Sequence, residues 1–461
     1  MLGFFRTSDP YRLIWLLLLM LALSLPWLVS WPGVTLPELK GWLVGLKVRE
    51  GFLLYAELID PAPPLAAWFY GLCQWALGKS MVLHHLVALL ICFCLAAYYG
   101  LLLIAKRAFP ENTLVPALVF GLVTLASFDM LALTAELPAT VLLVIALKLF
   151  MDEMDFRQQS DEAILKLGLC LGLASLLVFS YMFFFPCFVV LLLLFTRLSL
   201  RRFFLMLIGF GLPHGLLFGY YLYRQSLPSL VERFYLAGFV TNSLTDGASL
   251  LWLFAVPLVF LLLSFFVLNR HARLTKYQSD LLQVMLLWLG LSIIHFIVAR
   301  DKRPQTFLPA IPALSFILTH HFLLIKRKFA GLHVWVFALG MLTVAHLAAN
   351  GVLPVRYDKL MVKSEEPVFK NIRLLDTSGN VAVYLHNTPA PPLLDKSLAE
   401  EILSQPNTFE SVILIHHLFE KDPPEVVIDS QNYLEPFMQR IPALARRYRR
   451  EGVYWIKVPN S

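Results

Sequence analysis

Apolar runs of near-constant length, set apart by short clusters of Lys and Arg, constrain this chain more than any other feature. The runs fall at about 12–31, 82–105, 113–130, 133–151, 163–180, 182–197, 201–223, 248–268, 280–299, 305–325 and 331–349. Each is close to the roughly 20 residues an α-helix needs to cross the hydrocarbon core of a bilayer. Of the 461 residues, 58% are hydrophobic and 15% are charged, against about a quarter charged in soluble domains. One soluble core cannot hold that much apolar surface, and lipid can. The expectation is an all-α polytopic membrane protein with about eleven transmembrane helices. The segment Pro63 to Gly78 is apolar but short, so it suits an interfacial helix or a half-span.

Charge then orients the chain. The formal net charge is +7, but the basic residues sit between apolar runs, which marks topology and argues against a nucleic-acid surface. The first run follows Arg6 and Arg12 and lacks a small-residue cleavage site, so it reads as an uncleaved span with the N-terminus inside. Alternation places Lys106-Arg107, the stretch 152–166, Arg197 with Arg201-Arg202, the run Asn269 to Lys276 and Lys326-Arg327-Lys328 on the inside. The loop 32–63, the loop 224–247, the turn 300–304 and everything after about 350 fall outside. The five cysteines lie in or beside apolar runs with no metal-ligand spacing, and read as packing residues.

The expected division is a transmembrane part over 1–350, including the first outside loop 32–63, and a small extracytoplasmic α/β domain over 351–461. In that domain Asn380 to His386, Ser411 to Leu418, Glu425 to Asp429 and Val453 to Val458 read as strands. Helical patterns cover 397–404 and 432–449. It contains no Gly-rich phosphate loop and no nucleophile elbow, so an accessory or lid role is expected of it.

Candidate chemistry concentrates on the outside. In the first loop, apolar positions 39, 42, 43, 46 and 48 mark a short amphipathic helix with Glu38 at its start. The sequence Asp60-Pro61-Ala62-Pro63-Pro64 then forces a rigid, extended turn. Glu38 and Asp60 are thereby candidates to face one cavity. Asp129 and Glu136 flank a short outside turn. Arg300, Asp301, Lys302 and Arg303 form the densest basic run on the outside, against the positive-inside trend.

These residues resemble a known family. An acid after the first span, an amphipathic helix, the step Gly51-x-x-x-Tyr55 and the turn Asp60-x-x-Pro63-Pro64-Leu65 look like membrane glycosyltransferases of the GT-C fold. The nearest branches are the aminoarabinose and RgtA-like lipid-carrier transferases and the protein O-mannosyltransferases. The late stretch Arg300 to Leu314 is similar to the family's basic residues, aromatic-Leu-x-Pro step and Pro-Ala-Leu helix. A weaker resemblance is to uncharacterised GT-C-like membrane proteins of Bacteroidetes, through Pro37-Glu38-Leu39, the Pro-rich turn and Phe128-Asp129 with Glu136-Leu137. The family usually carries an acidic pair at its first site, where this chain has a single acid, Glu38.

The resemblance implies an enzyme in the bacterial inner membrane with its C-terminal domain in the periplasm. It implies a sugar donor on polyprenyl phosphate, membrane lipid as its surroundings, and a glycan, lipid or protein acceptor. Glu38 or Asp60 would act as general base. Arg300, Lys302 and Arg303 would hold phosphate, with Asp129 and Glu136 near the substrate. No cofactor motif is present, and a divalent metal ion is the one cofactor left open. Each residue also has a bland reading: Glu38 a helix-start acid, Asp60 a turn cap, Asp129 and Glu136 solvated span ends, Arg300 and Lys302 interfacial anchors. Two other functions stand beside the enzyme. One is a transporter or flippase for a lipid-linked solute, against which few mid-span charges and no internal repeat are found. The other is an inactive GT-C-like scaffold, which the single acid keeps open.

Overall fold

The computed structural model describes residues 2–155, 159–240, 242–271, 273–363 and 368–458. Parts of the stretches 152–166 and 269–276 and of the C-terminal segment lie outside these residues. By contact the chain divides into two compact units. The first comprises Met1–Gly33, Ser80–Tyr220 and Phe239–Leu360, and the second Val34–Lys79, Tyr221–Gly238 and Met361–Ser461. The division expected near residue 350 put the first outside loop with the membrane part, whereas its residues 34–63 group with the C-terminal segment.

The first unit is helical and apolar. Among the described residues, six helices of the chain are long and apolar enough to cross a membrane. A bent pair, Gly247–Leu253 and Ala255–His271, turning by 67°, makes a seventh if it is one span. Of the remaining expected spans, Val115–Val123, Asp161–Leu177 and Phe184–Phe195 are shorter helices, and Glu136–Met154 has 19 residues but carries Glu136, Lys148, Asp152 and Glu153. Ile311–Leu324 is buried around almost its whole circumference, with helices Val115–Val123, Ala255–His271 and Lys276–Val298 packed on it. An all-round apolar helix belongs at the centre of such a bundle. Helices at the rim leave Ile208, Leu212, Leu216 and Leu262 exposed, a surface that lipid accepts.

Two local features shape this unit. Helix Asp161–Leu177 carries Gly168 and Gly172 four apart, and a Cβ at either would run into the backbone of Met206 or Phe210 on helix Leu200–Tyr223. The two backbones meet because the glycines allow it, as small residues spaced by four do between membrane helices. The second feature corrects the expected span 113–130. Its helix is nine residues, Val115–Val123, which rises about 14 Å, half a hydrocarbon core. Thr124 Oγ1 donates to the Gly121 carbonyl at 2.8 Å and Ser127 Oγ accepts from the Asp129 amide at 3.4 Å. These local side-chain bonds compete with the helix, and the chain continues as a 3-10 turn, Phe128–Leu131.

The second unit contains the first-loop helix Leu36–Arg49, the short helix Pro64–Leu77, a π-helical turn Val231–Leu236 and a five-stranded sheet. The segment Pro64–Leu77 is a 14-residue helix, as its length suggested. Gly45 lets it approach Leu36–Arg49, since a Cβ there would meet the backbone of Tyr70. The sheet runs in the order 388–389, 373–376, 426–428, 454–457, 448–451. The first three strands are parallel and the last two join antiparallel, with Leu374 opposite Val426 and Val427 opposite Trp455.

Several expected elements of this segment change. Ser411 to Leu418 lies in a helix, Phe409–Lys421, because Ser411, Ile415, Leu418 and Phe419 recur at the helical period and are the buried ones. Asn380 to His386 is a 3-10 turn, with Asn380 Oδ1 accepting from the Ala382 amide at 3.1 Å. The helix expected over 432–449 is interrupted before Pro442, since a residue preceding proline is driven out of the helical region. It gives two short helices and the strand Tyr448–Glu451. Arg373–Asp376 is a strand that the sequence reading did not find. The strands at 426–428 and 454–457 and the helix Lys396–Leu403 lie where expected.

Candidate functional site

Glu38 is placed by its own helix start. Thr35 is the N-cap of Leu36–Arg49, and its Oγ1 accepts from the Glu38 amide at 3.4 Å. Glu38 Oε2 accepts in return from the Thr35 amide at 3.1 Å and from Thr35 Oγ1 at 2.8 Å. This reciprocal capping box satisfies two of the helix's otherwise unpaired donors. It holds the carboxylate in one orientation at a helix N-terminus, where negative charge is favoured. Glu38 is 8% exposed. The signal was legible: Thr35-Leu36-Pro37-Glu38 has the spacing of a capping box, and Thr35 is the residue that the sequence reading missed.

Asp60 closes the Pro-rich turn. Its Oδ1 accepts from the Ala62 amide at 2.8 Å, and the residue is buried. The turn is pinned at Tyr55, which is fully buried at φ 71°. A bulky residue in that region is strained, at a cost of about 1–3 kcal/mol, and persists only where its surroundings over-determine it. Here they do. The Tyr55 hydroxyl donates to the Ala62 carbonyl at 2.6 Å, and its amide donates to the Leu58 carbonyl at 2.9 Å. Its carbonyl accepts from the Arg233 guanidinium, and its ring lies against Tyr221 and Phe234. Arg233 sits in the π-helical turn, and burial pulls its pKa below the ordinary value.

Glu57, just before the Pro-rich turn, is partly buried. Its carboxylate accepts from the Leu53 amide and from Lys421 Nζ, both at 2.7 Å, and His417 Nε2 lies 3.4 Å away. Burial pushes its pKa up, but the hydrogen bonds from Leu53, Lys421 and His417 outweigh it and hold the group below the usual carboxylate value.

In the first unit, Asp129, Glu136 and Arg303 come together, and Arg300 and Lys302 take a different part. Arg303 Nη1 donates to Asp129 Oδ1 at 2.9 Å. Its Nη2 donates to Thr134 Oγ1 at 3.1 Å and reaches Glu136 Oε1 at 3.5 Å. Asp129 Oδ2 accepts from the Gln305 amide at 2.9 Å, and the Gln305 side chain bonds Thr134 and the Ala132 carbonyl. Every one of these side chains is buried. Arg303 was expected beside Arg300 and Lys302 as a phosphate ligand. Its guanidinium is engaged by carboxylates, which compete with any phosphate for the same donors. Asp129 and Glu136 were expected as solvated or substrate-facing acids, and both are buried against Arg303. Arg300 and Lys302 are half-buried, and Asp301–Lys302 is a two-residue strand paired with Asn242–Ser243.

Among the described residues, no group of three or more His, Cys, Asp or Glu is placed to hold a metal ion. His85 stacks on Trp31, and His321 Nε2 lies 3.0 Å from His333 Nδ1, so both are accounted for by neighbours in the helical unit.

No protein-family model and no curated protein matches the sequence. Solved structures do. The crystal structure of ArnT from Cupriavidus metallidurans in the apo state aligns over 92% of this chain and 88% of that one, with TM-score 0.51 and 16% identity. The same protein bound to undecaprenyl phosphate aligns over the same shares with TM-score 0.46 and 14% identity. The archaeal oligosaccharyltransferase AglB from Archaeoglobus fulgidus aligns over 97% of this chain and 74% of that one, with TM-score 0.47 and 11% identity. On the likeness to apo ArnT, the chain has the GT-C membrane fold.

Proposed function

We propose that this protein is a membrane glycosyltransferase that moves a sugar from a polyprenyl-phosphate donor to an acceptor on the periplasmic face of the bacterial inner membrane. The observation that carries the reading is Glu38. In a chain of GT-C fold, it is the carboxylate that follows the first long apolar helix, and the Thr35 capping box fixes its direction. The likeness to ArnT, a protein also crystallised with undecaprenyl phosphate, supports a donor of that class.

The chemistry balances without a cofactor. The acceptor oxygen forms a bond to the sugar's anomeric carbon as the bond to the phosphate oxygen breaks. Attack opposite the leaving group inverts the anomeric centre. The acceptor proton passes to a carboxylate, and the electron pair leaves with polyprenyl phosphate. Glu38 is the proposed base and Asp60 the alternative. Cations stabilise a departing phosphate, and Arg300 and Lys302 are the proposed phosphate ligands of the helical unit. Arg303, with Asp129 and Glu136, is assigned as the brace of the segment that carries them.

One observation favours a second reading, a transporter of lipid-linked solutes. Arg303, Asp129 and Glu136 form a buried charged cluster between apolar helices, and such clusters often mark pathways. Titration of the full-length protein in nanodiscs with undecaprenyl phosphate, followed by incubation with labelled short-chain polyprenyl phosphosugars, separates the two. The proposal expects saturable binding and acceptor-dependent appearance of free polyprenyl phosphate. Binding with no donor cleavage across hexosyl and pentosyl donors favours transport instead.

A further inference from the structure

The C-terminal α/β segment was expected to be an accessory domain. Its bonds to the first outside loop, all within the second unit, give it a more specific part. The Ile59 amide donates to the Pro392 carbonyl at 3.0 Å, and the Ile59 carbonyl accepts from the amides of Leu394 at 3.1 Å and Asp395 at 3.2 Å. Ile59 immediately precedes Asp60, and its side chain is part of the hydrophobic core formed by Leu375, Ile415, Leu418 and Val427. A backbone held on both its amide and its carbonyl has little freedom left at the next residue.

Asp395 links this clasp to the other proposed acid. Its Oδ1 caps helix Lys396–Leu403 by accepting from the amides of Ser397 at 3.1 Å and Leu398 at 3.3 Å. Its Oδ2 lies 3.6 Å from Lys40 Nζ, on the helix that Glu38 opens. Further along that helix, Lys47 Nζ donates to Asp422 Oδ2 at 2.7 Å, and both side chains are fully buried. Asp422 also pairs with Arg373 of the sheet, and Lys47 with Glu50 at 2.8 Å. A buried ion pair is weak evidence of net stability, but it fixes register, because any other pairing strands a charge.

We infer that the C-terminal segment is a positioning element for the two proposed acids: residues 392–395 clasp the backbone beside Asp60, while Asp395 and Asp422 pair with lysines on the helix that begins at Glu38. Neither aspartate is assigned contact with substrate. The inference deepens the glycosyltransferase reading and rests on it for its functional consequence, while the structural arm of its test does not.

The test compares parent, Asp395→Ala, Asp395→Asn and Lys40→Glu, all full-length in nanodiscs. Amide exchange is read over 53–62 and over strands Arg373–Asp376 and Val426–Ile428. Asp395→Ala is expected to speed exchange over 53–62 by about tenfold or more while the strands keep their protection, as local opening does. Lys40→Glu shifts the same segment in the same direction. Asp395→Asn, which keeps the capping acceptor, returns most of the protection. In transfer from a short-chain polyprenyl phosphosugar, Asp395→Ala should lower kcat with KM for the donor within about twofold, the pattern of lost transition-state geometry. Parental exchange over 53–62 in Asp395→Ala, or strands that open equally with it, overturns the inference. A parent that cleaves no donor removes the enzymatic reading instead and leaves the exchange result standing, whereas full transfer by both Glu38→Gln and Asp60→Asn removes the two acids from the mechanism.

Discussion

Arg303 and Asp129 are 174 residues apart in sequence, yet Nη1 and Oδ1 meet at 2.9 Å with side chains only 3% and 0% exposed. The pair joins the 3-10 turn Phe128–Leu131 to the segment Pro304–Ala310, and Thr134 and Gln305 complete the network. It also divides the basic run of the sequence, since Arg303 is committed to carboxylates while Arg300 and Lys302 are only half-buried.

Arg303→Met is therefore expected to destabilise the protein by about 3–5 kcal/mol, because it leaves Asp129 charged, buried and without its cation. The double variant Arg303→Met with Asp129→Leu should recover a large part of that loss. Thermal unfolding in detergent, read by intrinsic tryptophan fluorescence, checks this. Two losses that simply add would mean that the residues do not act as a pair.

That pairing explains much of what the sequence did and did not disclose. The helices were legible because lipid imposes a length and composition on each span. The Pro-rich turn at Asp60 was legible because proline fixes its own backbone. The 174-residue link was not, since no local pattern encodes it. In the C-terminal segment, the β-branched residues of Ser411 to Leu418 suggested a strand, and the core's demand for Ile415, Leu418 and Phe419 on one face overrode that preference. The partners of Glu57, Lys421 and His417, are more than 350 residues away and are likewise encoded by no local pattern.

Arg300→Ala is expected to weaken binding of undecaprenyl phosphate by about tenfold or more, the loss of one good phosphate contact. Arg300→Lys should restore only part, because lysine lacks the bidentate fork. A scintillation proximity assay on full-length protein measures it. If Arg300→Ala and Lys302→Ala both bind as tightly as the parent, the two cations are interfacial anchors.

Glu57 gives a pH dependence with a defined sign. Its folded-state pKa is depressed. Its stabilisation of the turn is therefore fully present above the unfolded value, about 4.3, and is lost as pH falls through the folded value. Amide exchange over 53–58, corrected for intrinsic rate, should show opening as pH falls below the unfolded value. Glu57→Gln should show the looser turn already at pH 7 and no such transition. A parental transition in Glu57→Gln would assign it to another group.

The proposed orientation predicts that single cysteines at positions 240 and 400, in a cysteine-free background, react with a membrane-impermeant maleimide in intact cells. One at 273 should react only after permeabilisation. Labelling at 273 alone would invert the topology and place the first loop with Glu38 on the cytoplasmic side.

The most direct test of the account is the transfer reaction of Glu38→Gln and Asp60→Asn beside the parent, in nanodiscs, with labelled short-chain polyprenyl phosphosugars and total membrane lipid extract as acceptor. The parent should release polyprenyl phosphate and label an acceptor. Loss of the base should lower the rate by about 10²-fold or more with undecaprenyl phosphate binding retained. A parent that binds undecaprenyl phosphate but cleaves none of the donors, or two variants that turn over at the parental rate, would contradict it.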